Sequence, residues 1–275
     1  MKEEKLKPYE IVAQKVIEIL EDAKKKGVKY PFVHFFKDGA FNGVTGKVYA
    51  RPENQFELGG EGEYLTFNQI KQKGGTLKKG SKAKKVYGYG IREVDKKDDQ
   101  GNVIIGKDGK PEKETIARYK YSNVFDIKDT DLTPTLKQDN ELDGDIDELV
   151  MDYIDMSGVE IEDRKMETHP RFDEKTNTIH CPKPTQFRNT SEYYACFLPL
   201  LLKSTKISGI DSPLASEIGA SMIMGEFGIE TPETRNNSTG IIQSYIDDIS
   251  QNAYNVLKAC NAANKAVRMI KREEA

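Results

Sequence analysis

Tryptophan is absent from the 275 residues, and cysteine and histidine occur only three times each. Cys181, Cys196 and Cys260 share no repeated spacing, which excludes a disulfide framework and fits a reducing cytoplasm. Long apolar runs are also missing. The longest, Ala195 to Leu202, falls far short of the ~20 residues a membrane span needs. The mixed-charge start, Met1-Lys2-Glu3-Glu4-Lys5, does not read as a signal peptide, so a cytoplasmic protein with no membrane partner is expected. His34, His169 and His180, even with Cys181 beside the last, match no standard metal-ligand spacing. Gly88-Tyr89-Gly90 is not followed by a phosphate-binding helix, and no GKS or GKT occurs. Ser204 and Thr205 lack a nearby histidine, so a nucleophilic triad has no support. No cofactor is implied.

Charge is present in abundance but unevenly placed. Residues 1–128 hold 27 Lys and Arg against 19 Asp and Glu, a net of +8, whereas 129–275 hold 15 against 26, a net of -11. Fifteen of the 24 Phe and Tyr also lie before residue 129. A basic, aromatic-rich half joined to an acidic half suggests an anion-binding part and a part with another task. The length and composition suggest two domains, which we place at 1–128 and 146–275 with an acidic linker, 129–145, between them.

The expected fold class is α+β. Ile11, Val12, Val16, Ile17, Ile19 and Leu20 predict a helix over 9–25 stopped at Gly27. From 30 to 126 the pattern becomes strand-like, with 85–91 and 117–125 pairing as a long hairpin around an exposed tip at 95–114 and a helix near 64–73. Beyond the linker the chain reads as helix-rich, with helices at 146–156, from Tyr193 onward after an Asn189 cap, at 214–227 and, the longest, at 241–270; a hairpin-like passage spans 159–182.

Lys71, Lys73, Lys78, Lys79, Lys82, Lys84 and Lys85 place seven cations in fifteen residues with no acid among them. Gly74-Gly75 and Gly80 would let backbone amides approach phosphates, and Tyr49, Tyr64, Phe67, Tyr87 and Tyr89 are candidates to stack bases. Taken alone, the lysine run reads equally as a solvated face. Asp139 to Asp147 partly matches a calcium loop, but Val150 stands where the bidentate Glu belongs.

Thr45-Gly46-Lys47-Val48-Tyr49, Tyr64-Leu65-Thr66-Phe67-Asn68-Gln69-Ile70, Gly74-Gly75-Thr76-Leu77-Lys78-Lys79-Gly80 and Tyr121 to Asp126 resemble, in order, the N-terminal domain of ArdC-type antirestriction proteins. That resemblance implies single-stranded DNA binding, with Lys47, Tyr49, Tyr64, Gln69, Tyr87 and the seven lysines as candidate contacts. Ser157 to Ile161, Phe187-Arg188, Tyr193-Tyr194-Ala195 and Ala215 to Ala220 resemble the family's zinc-peptidase-like domain. There the family carries an HExxH helix, two histidines one turn apart flanking a catalytic Glu. Here Pro199 and Lys203 stand at the histidine positions and Leu200 at the Glu, leaving Glu217 as a lone match to a third ligand. The resemblance therefore implies a pseudo-peptidase domain without metal, its old site filled by Leu198–Leu202, on a non-enzymatic protein of a phage or mobile element acting in antirestriction or replication. Two further readings stay open. In one, the acidic domain binds or inhibits a host nuclease or replication protein, or forms a homo-oligomer. In the other, a remote one, a peptidase works with a substituted metal site.

Overall fold

The computed structural model describes residues 6–98, 100–106, 108–135, 145–164, 169–229, 231–232, 235 and 237–273, without the side chains of 89, 91, 115–119 and 164. The possible calcium loop therefore lies largely outside the described residues.

Helix α1, Pro8–Lys26, starts where Pro8 needs no amide partner and Glu10 accepts the Lys7 amide at 2.6 Å. It ends at Gly27, whose φ of 70° is left-handed and returns its N–H to the last turn. Val12, Val16, Leu20 and Ala23 recur on one buried stripe. Strand β1, Phe41–Asn42, runs parallel to β2, Glu63–Thr66. Between them lies α2, Pro52–Leu58, and directly after β2 comes α3, Phe67–Gln72. Thr66 caps α3 by a reciprocal arrangement: its Oγ1 accepts the Gln69 amide at 3.3 Å, and Gln69 Oε1 accepts the Thr66 amide at 2.8 Å. The hairpin forms as β3, Lys84–Asp95, against β4, Lys113–Asp126, with Tyr87 opposite Tyr121. The sheet order is β1-β2-β4-β3.

The acidic half opens with α4, Ile146–Ser157, followed by β5, Glu160–Arg164, β6, Arg171–Asp173, and β7, Thr178–Pro182. This passage is more than a hairpin: β7 is central, parallel to β5 and antiparallel to β6. Helix α5, Thr190–Ser204, begins at Asn189, whose Oδ1 accepts the Glu192 amide at 2.8 Å. Helix α6 is Pro213–Glu226. The single helix expected over 241–270 is instead two, α7, Ser238–Gln251, and α8, Tyr254–Ile270. Asn252 is extended there, and its side-chain oxygen accepts the Tyr254 amide at 3.0 Å. An Asn competes with the helix through such local bonds and starts a new one, a signal the continuous apolar periodicity hides.

The expected boundary at 129–145 does not separate two cores. Val12, Val16 and Leu20 of α1, Phe32, Phe56 and Tyr87 lie in one buried cluster with Tyr153, Leu201, Ile218, Cys260 and Val267. Among the described residues two small clusters belong to the first half alone, Ala40, Leu58, Tyr64, Val86 and Val124 in one and Leu65, Ile70 and Ile127 in the other. Among the described residues no helix is long and apolar enough to cross a membrane.

Candidate nucleic-acid interface

The turn motifs of the first half converge on one side chain. Asn42 folds the loop after β1 by accepting the amides of Val44 and Thr45 at 3.0 and 3.1 Å. Its amide nitrogen then donates to the Tyr49 hydroxyl at 3.2 Å and to Gln69 Oε1 at 3.2 Å, and Gln69 Nε2 donates back to Asn42 Oδ1 at 3.3 Å. Gln55 of α2, itself buried, donates to the Tyr49 carbonyl at 2.8 Å. With its amide also donating to the Ala40 carbonyl at 2.9 Å, Tyr49 is fixed from three directions, half-buried, and burial raises its hydroxyl pKa despite the bond from Asn42. Tyr49 and Gln69 thus meet at Asn42, whose own backbone amide donates to the Lys47 carbonyl at 2.9 Å, and this hub was missed in the sequence. Its only signal was an Asn before a Gly, common to many turns.

Two of the expected base-stacking tyrosines are corrected by the structure. Tyr64 and Tyr87 are each only 2% exposed, so neither ring can meet a base. Tyr64 donates its hydroxyl to the Leu58 carbonyl at 2.7 Å, and Tyr87 faces the large core on an inward position of β3. Lys84 is also withdrawn: its ammonium donates to the Leu58 carbonyl and the Tyr64 hydroxyl, each at 3.0 Å. The exposed aromatics are others. Phe67, at the start of α3, is 47% exposed with the Lys71 ammonium 4.6 Å above its ring. Tyr121 on β4 is 42% exposed with Lys85 at 5.4 Å. Each pairs an aromatic plane with a cation, the combination that single strands use. The side chain of Tyr89 lies outside the described residues.

Lys71, Lys73, Lys78, Lys79 and Lys82 are exposed, and Lys85 is half-buried. The glycine turn that carries them is stapled rather than open. Gly74 and Gly80 have φ of 76° and 91°, and the Thr76 amide and hydroxyl donate to Asp131 at 2.7 and 2.8 Å. These bonds hold the Asp131 carboxyl below its ordinary pKa, the Thr76 amide contributing most. The Gly74, Gly75, Thr76 and Lys78 amides are all consumed within the fold, so an amide cradle for phosphate is not available there. Phosphate contact falls to the side chains.

The positions implied as degenerate metal ligands lie on α5. Pro199 and Lys203 are half-buried and Leu200 is 7% exposed. None of these is a zinc donor in this setting, because a proline and a leucine offer no lone pair and a lysine ammonium repels the ion. Leu198, Leu201 and Leu202 are fully buried in the core. Glu217 on α6 has a different partner from the one the motif implies. Arg235 grips it through two bonds, Nη1 to Oε1 at 2.9 Å and Nη2 to Oε2 at 2.6 Å, and the Tyr245 hydroxyl donates to Oε2 at 3.3 Å. The guanidinium also donates to the Lys29 carbonyl at 3.2 Å and lies 4.5 Å from the Tyr30 ring centre. Burial works to lower the Arg235 pKa, and the Glu217 carboxylate more than offsets it, so the charge is retained. Both carboxylate oxygens are occupied, and these residues do not fit a zinc ion. His180 is packed on β7 with Nδ1 3.0 Å from Glu162, away from any ligand role with His169. Among the described residues no group of three or more His, Cys, Asp or Glu could hold a metal ion.

Residues 7–125 match the family described as the N-terminal domain of anti-restriction factor ArdC. Two crystal structures of the antirestriction ArdC protein from plasmid R388, one metal-free and one Mn(II)-bound, share the fold. Their TM-scores are 0.68 and 0.67, each at 18% identity and covering 98% of both chains. No curated protein matches in sequence. Residues 7–125 thus carry an N-terminal domain of the ArdC type, and the whole chain shares the fold of the R388 antirestriction protein.

Proposed function

We propose that the protein binds single-stranded DNA without reading its sequence and serves antirestriction by covering the strand. The observation that carries this reading is the pair of exposed aromatics, Phe67 and Tyr121, each beneath a lysine, in the half of the chain that also bears the exposed Lys71, Lys78, Lys79 and Lys82. The match to the ArdC N-terminal domain supports it, and so does the antirestriction protein whose fold it shares. Stacking tolerates every base and lysines follow the backbone, so the combination favours strand over sequence. The same coating would protect template in replication. We further infer that the acidic half is non-enzymatic, because Pro199, Leu200 and Lys203 supply neither ligands nor a base, and that the protein acts in the cytoplasm. The second half then acts as scaffold and as one wall of the DNA site.

The test is a titration of labelled oligo-dT and an equal-length duplex across a salt series, using the full chain and a Lys78/Lys79/Lys82→Glu variant. Single-strand preference is expected, with log affinity falling by about 0.7 per phosphate contact for each decade of salt, a slope reduced in the variant. Absence of binding at low salt overturns the reading and directs the search to protein partners of the acidic half.

A further inference from the structure

A cleft of about 490 Å³ opens between the two halves of the chain. Val48-Tyr49-Ala50 line it from the first half, and Asn264 and Arg268 of α8, Lys271 just past the end of α8, and Met222 of α6 line it from the second. Its size falls within the roughly 300–1,000 Å³ of small-molecule sites. Tyr49 is held by Asn42, the side chain on which the turn motifs converge, and Asn42 in turn bonds Gln69 of α3, the short helix that begins at the exposed Phe67. The cleft and the exposed Phe67 are thus connected through Tyr49, Asn42 and Gln69.

The charge of the lining points to what enters. Lys37, Arg268 and Lys271 are matched by Asp38, Glu226 and Glu273. Lys271 is held by Glu226 at 2.6 Å and by Glu273 at 2.7 Å. A lining so balanced offers no net attraction to phosphate. It offers a tyrosine ring and the apolar surfaces of Val48, Met222 and Val267, with the Asn264 amide as a hydrogen-bonding group. That is the chemistry of a neutral, planar, polar-edged ligand.

We propose that this cleft accepts one nucleobase of the bound single strand, stacked on Tyr49, while the phosphates stay outside along the lysines. This deepens the single-strand reading and rests on it. The acidic half then contributes directly to DNA binding through α8.

The test uses the full chain and oligo-dT in which one thymine is replaced by photoreactive 4-thiothymine. Crosslinked peptides are identified by mass spectrometry, and affinities are measured for Asn264→Trp and Val48→Trp, which fill the cleft from opposite walls without altering charge. Crosslinks are expected within 48–50 or 264–271. Each folded filling variant is expected to bind about 5- to 150-fold more weakly, the loss of one stacked base, with an unchanged salt slope. Using two variants keeps the test decisive if one fails to fold, and crosslinking needs neither. Wild-type binding that the triple lysine variant loses, with full affinity in the filling variants and crosslinks elsewhere, overturns the cleft but leaves the single-strand reading standing. Absence of wild-type binding overturns both.

Discussion

Replacing Arg235 by Met removes the cation that Glu217 is built around. The side chains of Glu217 and Arg235 are 6% and 15% exposed, so solvent replaces little of what is lost. After the change, the carboxylate keeps only the 3.3 Å bond from Tyr245 among the described contacts of this cluster. Breaking one side of a buried ion pair costs roughly 3–5 kcal/mol, and the guanidinium over Tyr30 adds about 1 kcal/mol. The partial exposure of Arg235 argues for the lower part of that range, about 3 kcal/mol. For a chain of this size that is a fall of roughly 6–12 °C in Tm. Replacing Glu217 by Met as well removes the stranded charge, and the double variant should recover most of the loss because apolar packing can substitute for a buried pair. Urea unfolding followed by circular dichroism measures all four corners of the cycle. A single-variant loss under about 1 kcal/mol, or a double variant equal to the sum of the singles, would refute the view that Arg235 neutralises Glu217. EDTA is expected to leave the melting curve of the parent protein unchanged, since the cation here is covalently part of the chain.

Three other perturbations test separate parts of the argument. Phe67→Ala and Tyr121→Ala should each weaken oligo-dT binding by about 1–3 kcal/mol without shifting Tm appreciably, and equal affinity in both would remove the stacking face. Tyr87→Phe deletes a hydroxyl that is buried without a hydrogen-bond partner among the described residues, so stability should hold or rise by up to about 1 kcal/mol in urea titration, and a clear loss would reveal a partner. A hydrogen bond from Cys181 holds the Cys196 thiol below its ordinary pKa against the opposing effect of burial, whereas Cys181 is pushed up by that pairing and by burial, and Cys260 by burial. Iodoacetamide labelling read by mass spectrometry should therefore begin at Cys196, at a lower pH than for a free thiol, and reach Cys260 only on unfolding. Labelling that starts at Cys260 would contradict this order.

Local signals were legible in the sequence where one residue decides a local outcome. Gly27 and Asn189 marked helix ends because capping is a contact across three or four residues, whereas the Thr66–Gln69 cap, which starts α3 at Phe67 instead of near residue 64, went unread. The long hairpin was readable from alternation. Exposure of particular aromatics was not. Tyr64, Tyr87 and Phe67 are all aromatics near a lysine run, and only packing distinguishes the buried pair from the exposed ring. Arg235 was invisible for a similar reason: its partner lies eighteen residues away on α6, at no diagnostic spacing. The cleft joins residues near 49 to residues near 268, a separation that no local pattern encodes.

The shared core makes a final prediction about residues 1–128 produced alone. Val12, Val16, Leu20, Phe32 and Phe56 are each at most 2% exposed in the full chain, in the cluster completed by α5 to α8. Burial of such side chains contributes about 1.5–3 kcal/mol each, so the five together supply roughly 8–15 kcal/mol. That is comparable with the ~5–15 kcal/mol net stability of a whole domain. The fragment keeps only the two small clusters around Tyr64 and Leu65, and its Tyr49 wall loses the α8 partner across the cleft. It is expected to be aggregation-prone and rapidly cleaved in limited proteolysis, and co-expression with 129–275 should restore protection by rebuilding the core between separate chains. A monomeric fragment with its own sharp melting transition would show that the large cluster is dispensable to the first half. If that fragment also matched the full chain in oligo-dT affinity, α8 would have no part in the DNA site.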